Sequence, residues 1–319
     1  MTDGSRRAAV DVGSNTVRLL VVDADGSTLA REMEITRLGR GVDERGRLDD
    51  GSLVRTLEVL ARYRGTWEEL GVAGDAVRIA ATSAVRDAAD RERFFAGVRE
   101  RTGGIEAEVL SGDEEAATTF RGVAAALDVP RPTLLLDVGG GSTELVVGDG
   151  EGNLAAAVSL QLGSVRLTER CVPSDPPSTA ELGAAREEAA ARCEEGAAHL
   201  AAAGADPDSC AALVGVAGTV TTLAALHLGL ERYDPEPIHG ARVPRDSVAA
   251  VLGDLAAMTS AERARLGPMA KGREDVIVAG VLIVAAVMDR FGFDALVASE
   301  ADILDGLVQS IRGRARAKP

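Results

Sequence analysis

Two short stretches of the chain place glycines and hydroxyl residues directly after an apolar run. Residues 134–145 read LLLDVGGGSTEL, in which three leucines and an aspartate lead into three glycines, a serine, a threonine and a glutamate. Glycine costs conformational entropy, so a run of glycines after a predicted strand indicates that the backbone closely approaches another group. Backbone amides and small hydroxyls in such a turn can cradle an anion. The stretch therefore predicts a phosphate-binding turn.

A second copy of this pattern lies near the start of the chain. Residues 11–23 (DVGSNTVRLLVVD) align with residues 137–149 (DVGGGSTELVVGD), sharing Asp-Val-Gly at the start and a leucine, a valine and an aspartate further along. Each copy predicts a strand, a glycine turn and a second strand that ends at another turn, at residues 24–26 and 150–152. The duplication predicts two related α/β halves. The residues predicted to bind phosphate are Gly13, Ser14 and Asn15 in the first copy and Gly139, Gly140, Gly141 and Ser142 in the second.

A third glycine-containing segment, residues 214–219 (VGVAGT), joins a predicted strand to an apolar helix. Amides at the start of a helix lie at its positive dipole end and bind anions. Gly215, Gly218 and Thr219 are the predicted contacts. One such segment alone is more often a tight turn. Two matched hairpins together with this segment favour phosphate binding.

The two copies carry opposite charges at one equivalent position, where the first has Arg18 and the second has Glu144. A structural role shared by both copies does not explain this difference. Arg18 either neutralises phosphate oxygens or lies on a solvated face, and Glu144 either orients a water or holds a cation. Asp11 and Asp137 either coordinate a metal, its water or a phosphate, or make Asx turns. Because acids repel a polyanion unless a cation bridges them, we expect Mg²⁺ or another divalent cation at Asp11, Asp137 and Glu144.

The segment Thr82-Ser83-Ala84-Val85-Arg86 lies between a predicted strand and a predicted helix. Thr82 and Ser83 either contact phosphate or cap the helix. A cation in the first turn of a helix is opposed by the helix dipole, so Arg86 is better explained by an anionic ligand. A guanidinium also matches phosphate in a bidentate geometry.

Two adjacent glutamates follow Ser111, in the sequence SGDEE. With Ser111 at the N-cap, Glu114 occupies the third helical position of a capping box, which predicts a structural role. Glu115 points about 100° away around the helix and is therefore available for chemistry. Glu115 is the predicted general base.

Composition excludes several classes of function. The net charge of −15 disfavours nucleic acid and anionic membrane surfaces as partners. The longest apolar run, residues 276–288, is shorter than the roughly 20 residues of a spanning helix and predicts a buried helix. Three cysteines without paired spacing predict reduced thiols in the cytoplasm, and the N-terminus has no signal-peptide pattern. Of the three histidines, only His239, in a predicted loop, is a site candidate, and none has metal-ligand spacing.

The remaining pattern predicts alternating strands and helices that would position these residues. Capping-box sequences at Ser178–Glu181 and Thr259–Glu262 begin two helices. Residues 313–319 form a polar tail. The further predicted elements are strands at 77–81, 105–110 and 295–298, and helices at 87–101, 113–127, 273–291 and 302–312.

Several motifs together resemble the exopolyphosphatase and guanosine pentaphosphate phosphohydrolase family, within the superfamily of actin, sugar kinases and chaperone ATPases. The motifs, which occur in the family's order over nearly the whole chain, are AAVDVGSNTVRLLV, ATSAVRDA, SGDEEA, LLLDVGGGSTELVV, GVAGTVTTLAAL, PIHG and the ending from GREDVIVAG to ASEADILDGLV. The resemblance implies an α/β fold with two ribonuclease H-like domains, residues 1–120 and 121–301, and an active cleft between them. The C-terminal helix, about 302–319, is expected to pack back on the first domain.

The resemblance also implies roles for individual residues. The family's catalytic glutamate falls on Glu115, in agreement with the capping argument, and its phosphate-contacting arginine on Arg86. Its metal- or water-orienting acids fall on Asp137 and Glu144. Longer family members carry a C-terminal helical extension that lies beyond the last residue of this sequence.

The expected reaction is hydrolysis of the terminal phosphoanhydride of polyphosphate, with short chains preferred because no run of basic residues offers an extended track. Guanosine pentaphosphate, converted to guanosine tetraphosphate in the stringent response, is the main alternative substrate. A sugar kinase and a nucleotide-binding regulatory module are more remote alternatives with the same fold. A homodimer is expected from the apolar helices.

Overall fold

The computed structural model describes residues 6–149, 151 and 153–316, and the chain divides into two compact units. The first unit comprises the chain up to Gly122 together with the segment that begins at Ile303, and the second comprises Val123–Asp302. Each unit has its own sheet and its own hydrophobic core. Two of the residues in the turn predicted at 150–152, and residues 317–319 of the predicted tail, lie outside the described part of the chain.

The sheet of the first unit has five strands. They are β1 (Arg7–Val12), β2 (Thr16–Val22), β3 (Thr28–Ile35), β4 (Val77–Ala81) and β5 (Ala107–Val109). The strand order is β3-β2-β1-β4-β5. β1, β2 and β3 are antiparallel neighbours, whereas β4 and β5 continue the sheet parallel to β1. The strand predicted at residues 77–81 is confirmed.

Within the described residues, five helices precede the second sheet along the chain. They are α1 (Val42–Arg45), α2 (Asp50–Glu69), α3 (Ser83–Asp87), α4 (Glu92–Thr102) and α5 (Gly112–Ala124). Tyr63 of α2 and Phe94 of α4 pack with Val10 and Val12, which cover one face of β1. This face holds most of the core of the first unit.

The prediction of a single helix over residues 87–101 is wrong. α3 ends at Asp87 and α4 begins at Glu92. Between them, the amide of Ala89 donates to the carbonyl of Gly46 at 2.9 Å, and the carboxylate of Asp90 accepts from the amide of Leu48 at 3.0 Å. These tertiary hydrogen bonds replace the helical ones.

The sheet of the second unit has six strands. They are β6 (Thr133–Val138), β7 (Thr143–Gly148), β8 (Leu154–Leu160), β9 (Ala212–Val216), β10 (Arg242–Pro244) and β11 (Ala295–Ala298). The strand order is β10-β11-β9-β6-β7-β8. β6, β7 and β8 are antiparallel neighbours, and β9 and β11 run parallel to β6. The strand predicted at residues 295–298 is confirmed.

Seven helices accompany this sheet, and two of them begin at the capping boxes predicted from the sequence. The helices are α6 (Ser164–Cys171), α7 (Thr179–Ala202), α8 (Ala217–His227), α9 (Pro235–Ile238), α10 (Arg245–Ala257), α11 (Ser260–Arg263) and α12 (Ile277–Phe291). The boxes Ser178–Glu181 and Thr259–Glu262 are both complete, which confirms that prediction. The apolar run becomes α12, which is largely buried, as predicted. No helix in the described part of the chain is both long and apolar enough to cross a membrane.

The last helix, α13 (Ile303–Arg316), belongs to the first unit. Leu304 and Leu307 pack with Ala9 and Leu20, on the face of the sheet opposite to α2. A Cβ added at Gly306 would lie only 1.9 Å from the carbonyl oxygen of Thr118, so glycine lets α13 approach α5 closely.

The two sheets share one arrangement, which is what the sequence duplication predicts. The order β3-β2-β1-β4-β5 in the first unit corresponds to β8-β7-β6-β9-β11 in the second. Asp11 pairs with Arg18 across β1 and β2, and Asp137 pairs with Glu144 across β6 and β7. Arg18 and Glu144 are therefore structurally equivalent. The α/β fold class is confirmed.

Candidate active site

The first hairpin turn is tight and largely buried. The amide of Gly13 donates to the carbonyl of Thr16 at 2.9 Å, closing the turn. The hydroxyls of Ser14 and Ser83 lie 2.7 Å apart, so the turn and the start of α3 meet through two of the predicted phosphate contacts. Asn15 Oδ1 is buried and has no hydrogen-bond partner among the described residues.

Arg18 and Asp11 form an ion pair behind this turn. Asp11 Oδ2 accepts hydrogen bonds from Arg18 Nε at 3.0 Å and from Arg18 Nη2 at 2.7 Å. The alternative that Arg18 lies on a solvated face is wrong, because its side chain is only 17% exposed. Asp11 lies within β1 and not in a turn, so its position does not fit an Asx-turn residue.

The segment after β4 positions Arg86 differently from the prediction. Thr82 occupies the N-cap of α3, but its side chain makes no capping hydrogen bond. Since α3 has five residues, Arg86 lies in its last turn, and the argument from an opposing helix dipole does not hold. Arg86 Nη1 donates to the carbonyl of Leu110 at 2.9 Å and to Glu115 Oε2 at 3.1 Å. The position of Arg86 is therefore explained by contacts with the start of α5.

The two adjacent glutamates of α5 have different surroundings. Glu114 Oε2 accepts from the amide and the hydroxyl of Ser111, both at 2.9 Å, and the amide of Glu114 donates back to Ser111 Oγ at 3.2 Å. The predicted capping box is thus confirmed. The hydrogen bonds from the backbone amide and then the hydroxyl of Ser111 lower the pKa of Glu114. Glu115 is buried and faces Arg86.

The second hairpin turn is held by the start of α6. The amide of Gly139 closes the turn by donating to the carbonyl of Ser142 at 3.0 Å. The carbonyl of Gly140 accepts from the amide of Val165 at 2.9 Å, and the carbonyl of Gly139 accepts from the amide of Ser164. A Cβ at Gly163 would lie 2.3 Å from the carbonyl oxygen of Gly140, which explains that glycine.

The carbonyl groups of this second turn thus accept hydrogen bonds, whereas two of its amide groups are available to donate. Among the described residues, the amides of Gly140 and Gly141 donate to no acceptor. Consecutive amides without an acceptor can donate to an anion. The amides of Ser14 and Asn15 in the first turn likewise donate to no described acceptor, so both hairpins offer backbone amides to a phosphate oxygen.

Asp137 and Glu144 form a buried acidic pair beside this turn. They are cross-strand partners in the antiparallel pair β6 and β7, so their side chains lie on the same face and close together. Asp137 is 7% exposed and Glu144 is 1% exposed. Glu144 Oε1 accepts a hydrogen bond from Ser159 Oγ at 2.7 Å, which fixes its orientation. Two adjacent buried carboxylates suit a divalent cation.

The third glycine segment contains no separate loop, because β9 ends at Val216 and α8 begins at Ala217. Gly215 lies within β9, and a Cβ there would meet Val220 at 2.9 Å, so packing explains this glycine. Ala217 adopts a left-handed backbone with φ of 67°, which costs energy for a residue other than glycine. Gly218 and Thr219 form the first turn of α8.

Arg273 packs against this first turn of α8. An added Cβ at Gly218 would lie 2.1 Å from Arg273 Nη2, so the guanidinium lies directly over the glycine. Arg273 Nη1 donates to Thr222 Oγ1 at 2.8 Å. A buried cation is thereby placed at the start of a helix, where anions bind.

His239, the remaining site candidate from the sequence, is held by contacts with the backbone. His239 Nδ1 accepts from the backbone amide of Glu300 at 3.2 Å, and His239 Nε2 lies 3.4 Å from the carbonyl of Ala126. The three cysteines are free, and burial raises the pKa of Cys193 to about 12. Within the described residues, no group of three or more histidine, cysteine or acidic side chains is arranged to hold a metal.

Comparison with known proteins places this arrangement in a family. The sequence matches the profile of the Ppx/GppA phosphatase family over residues 20–314. The chain belongs to this family. It is 40% identical to Exopolyphosphatase 2 of Mycobacterium tuberculosis (strain ATCC 25618 / H37Rv), over 97% of this chain and 99% of that protein.

Solved structures agree with this assignment. The crystal structure of an exopolyphosphatase-like protein matches with a TM-score of 0.91 at 32% identity, covering 97% of this chain and 99% of that one. The Ppx/GppA family member of Aquifex aeolicus matches with a TM-score of 0.79 at 30% identity, covering 99% of this chain and 100% of that one. The family and fold that the motifs imply are confirmed.

In this Ppx/GppA protein, two buried arginines lie beside the glycine segments and are not identified as site residues from the sequence. Arg166 is 8% exposed, and its Nε donates to the carbonyl of Gly141 at 2.7 Å. Arg273, which is 7% exposed, lies over Gly218. Arginine is usually a surface residue, so neither position carries a signal of burial in the sequence. The only hint is that each follows a glycine at close range, Gly163 and Gly272.

Proposed function

We propose that the protein is an exopolyphosphatase that hydrolyses the terminal phosphoanhydride of inorganic polyphosphate and releases orthophosphate. The observation that carries this proposal is the 40% identity, over nearly the whole length of both chains, to a protein named Exopolyphosphatase 2. Each unit also carries groups of suitable chemistry. The hydroxyls of Ser14 and Ser83 in the first unit, and the amides of Gly140 and Gly141 in the second, are groups that bind phosphate oxygens.

Glu115 is the proposed general base. A water oxygen attacks the terminal phosphorus while its proton passes to a carboxylate oxygen of Glu115. The bond between that phosphorus and the bridging oxygen breaks, and its electron pair stays on the oxygen of the departing chain. The products are orthophosphate and a chain that is shorter by one phosphate. No covalent nucleophile is needed.

Arg86 supports this step electrostatically. Its ion pair with Glu115, at 3.1 Å, holds the carboxylate and the guanidinium together, and Leu110 fixes Arg86 from the backbone. A guanidinium at this position offsets the negative charge of the transferring phosphoryl group. Removal of Arg86 would therefore affect both the charge at the site and the orientation of the base.

A divalent cation such as Mg²⁺ fits the acidic pair of the second unit. Mg²⁺ binds through one or two carboxylates together with water and substrate phosphates, and Asp137 and Glu144 are two adjacent buried carboxylates. When bound, the cation would neutralise phosphate oxygens. Asp11 suits this role less well, because Arg18 already donates two hydrogen bonds to its Oδ2.

The experiment that tests this function measures orthophosphate release side by side on tripolyphosphate, long polyphosphate, guanosine pentaphosphate and ATP. We expect the highest kcat/KM on short polyphosphate. Preference for guanosine pentaphosphate over every polyphosphate would assign the alternative activity. Phosphate transfer from ATP to a sugar, without hydrolysis of polyphosphate, would contradict the proposal. A Glu115→Gln variant controls for contaminating phosphatases.

A homodimer and a cytoplasmic location, both expected from the sequence, are also proposals. Light scattering coupled to gel filtration would determine the oligomeric state. A monomeric mass at micromolar concentration would contradict the dimer.

A further inference from the structure

Both arginines that the sequence assigns to phosphate binding in the first unit already have a carboxylate partner. Arg18 pairs with Asp11 at 2.7 Å, and Arg86 pairs with Glu115 at 3.1 Å. Each pair has no net charge, so the two pairs together add little attraction for a polyanion. Polyphosphate carries about one negative charge per phosphate, comparable to a nucleic-acid backbone. A further cation near the first turn would supply the attraction that these pairs lack.

One segment lies directly on this turn. The amides of Thr36 and Arg37 both donate to the carbonyl of Asn15 at 3.0 Å, and the amide of Gly39 donates to the carbonyl of Ser14 at 2.7 Å. A Cβ at Gly39 would lie 2.7 Å from Ser14 Cβ, so the backbones are in close contact. This segment, residues 36–40, is referred to below as the turn-covering segment.

The turn-covering segment has a fixed conformation. Arg55 Nη2 donates to the carbonyl of Thr36 at 3.1 Å. Arg37 adopts a left-handed backbone with φ of 57°, which is uncommon for a residue other than glycine. The amide of Arg40 donates to the carbonyl of Arg37 at 3.1 Å, which places Arg40 at the end of a defined turn.

Arg40 differs from the arginines around it. Its side chain is exposed, and its guanidinium makes no hydrogen bond or ion pair with any described residue. By contrast, Arg45 Nη2 donates to the carbonyl of Arg40 at 2.8 Å, and Arg47 lies 3.7 Å from the carboxylate of Asp90. Arg40 is also adjacent to Gly39, which contacts Ser14. It therefore presents an uncompensated charge beside the phosphate-binding turn.

We propose that Arg40 binds an internal phosphate of the polyphosphate chain and so forms a subsite next to the one for the terminal phosphate. This inference rests on the proposed exopolyphosphatase function and extends it to a residue that sets chain-length preference. Arg40 contacts no reacting atom in this scheme. It therefore contributes to binding and not to the chemical step, and its effect depends on whether the substrate is long enough to reach it.

The test compares Arg40→Gln with Arg47→Gln, a matched loss of one exposed arginine from the neighbouring stretch of chain. For polyphosphate of medium length, we expect Arg40→Gln to raise KM by about five- to tenfold with little change in kcat. For tripolyphosphate, the rise in KM should be at most about twofold. Arg40→Lys should recover most of the lost affinity, because it retains the charge. Arg47→Gln should behave as wild type on both substrates.

Salt dependence and direct binding complete the test. The slope of log(kcat/KM) against log[salt] should be shallower in Arg40→Gln, by the amount expected for the loss of about one ionic contact with phosphate. Equal losses on both substrates, an unchanged KM on the longer one, or the same loss in Arg47→Gln would overturn the subsite.

Calorimetric binding of medium-length polyphosphate to Glu115→Gln, with and without Arg40→Gln, measures the subsite without turnover. A wild-type protein that cleaves no polyphosphate would refute the proposed function, whereas equal binding by the two variants would refute the subsite.

Discussion

Arg86 Nη1 donates a hydrogen bond to Glu115 Oε2 over 3.1 Å, although the two side chains come from different helices, α3 and α5. These two helices follow β4 and β5, which are neighbouring strands of the same sheet. Arg86 also donates to the carbonyl of Leu110, which lies just before α5. The guanidinium therefore connects the end of β5 with the carboxylate that the family resemblance identifies as catalytic.

Replacement of Glu115 by glutamine should abolish turnover while leaving the fold intact. Glutamine keeps the shape and the hydrogen-bonding capacity of the side chain but cannot accept the proton, and general-base catalysis contributes about 10²–10⁴ in rate. The adjacent Glu114→Gln is the control, because Glu114 bonds to Ser111 in the capping box. Orthophosphate release by the two variants decides the assignment. Equal losses, or a larger loss in Glu114→Gln, would show that the base is misassigned.

Activity should depend on a divalent cation bound by the acidic pair. Excess EDTA should abolish turnover and added Mg²⁺ should restore it, since Asp137 and Glu144 would otherwise repel a polyanion. Glu144→Gln should raise the Mg²⁺ concentration needed for half-maximal activity, and Ser159→Ala, which removes the hydrogen bond to Glu144, should raise it less. Glu187→Gln, on an exposed position of α7, is the control. Full activity in EDTA would exclude this role for the pair.

Substitution of Gly218 by alanine should reduce activity through Arg273. The added Cβ would lie 2.1 Å from Arg273 Nη2, so the guanidinium must move and its bond to Thr222 is disturbed. Small misplacements in an active site can cost up to about 100-fold, and we expect kcat/KM to fall at least about tenfold. The same exchange at Gly183 in α7 meets no atom within 4 Å and should stabilise the helix by about 0.5–1 kcal/mol without loss of activity. Wild-type activity in Gly218→Ala would mean that the position of Arg273 is unimportant.

The elements predicted from sequence succeed where a short, mainly apolar run ends at a polar residue, as at Val77–Ala81 before Thr82 and at Ala295–Ala298 before Ser299. The capping boxes succeed because they rest on hydrogen bonds within four residues. The helix predicted across residues 87–91 fails because the amide of Ala89 donates to the distant Gly46 and the carboxylate of Asp90 accepts from the amide of Leu48, contacts that local propensity does not reveal.

The candidate site shows the same limit, since contacts between residues far apart in the sequence could not be predicted from it. The glycine turns and the Arg18–Glu144 asymmetry follow from the duplication alone, and the register of both hairpins agrees with it. Arg166 and Arg273 become visible only when the fold buries them against Gly141 and Gly218. Similarly, the pairing of Arg86 with Glu115 joins residues far apart in sequence, and the dipole argument for Arg86 assumed a helix longer than α3.

Acid should remove part of the stability of the second unit through Glu181. Hydrogen bonds from the hydroxyl and then the amide of Ser178 lower the pKa of Glu181 from 4.5 to about 2. A carboxylate with a lowered pKa in the folded state stabilises the fold above its unfolded pKa, and this contribution is lost as the pH falls from 4.5 towards 2. We therefore expect Glu181→Gln to unfold at a lower temperature than wild type near neutral pH, with the two midpoints converging in acid. A constant difference between the midpoints at all pH values would contradict this linkage.

The enzyme should act distributively and prefer short chains. Holding a long polyanion through many cleavages requires an extended basic track, whereas the chain has a net charge of −15 and no run of four or more basic residues. In the first unit, Arg18 and Arg86 are paired with acids, which leaves Arg40 as the proposed additional contact. A series of chain lengths at fixed salt should therefore show the highest kcat/KM at a few phosphates and a lower value for chains of hundreds of units, because further phosphates find no partner and are repelled by the negative net charge. Gel analysis should show intermediates of all lengths released during the reaction. Long chains that disappear faster than short ones, without released intermediates, would demonstrate a basic track formed by other residues.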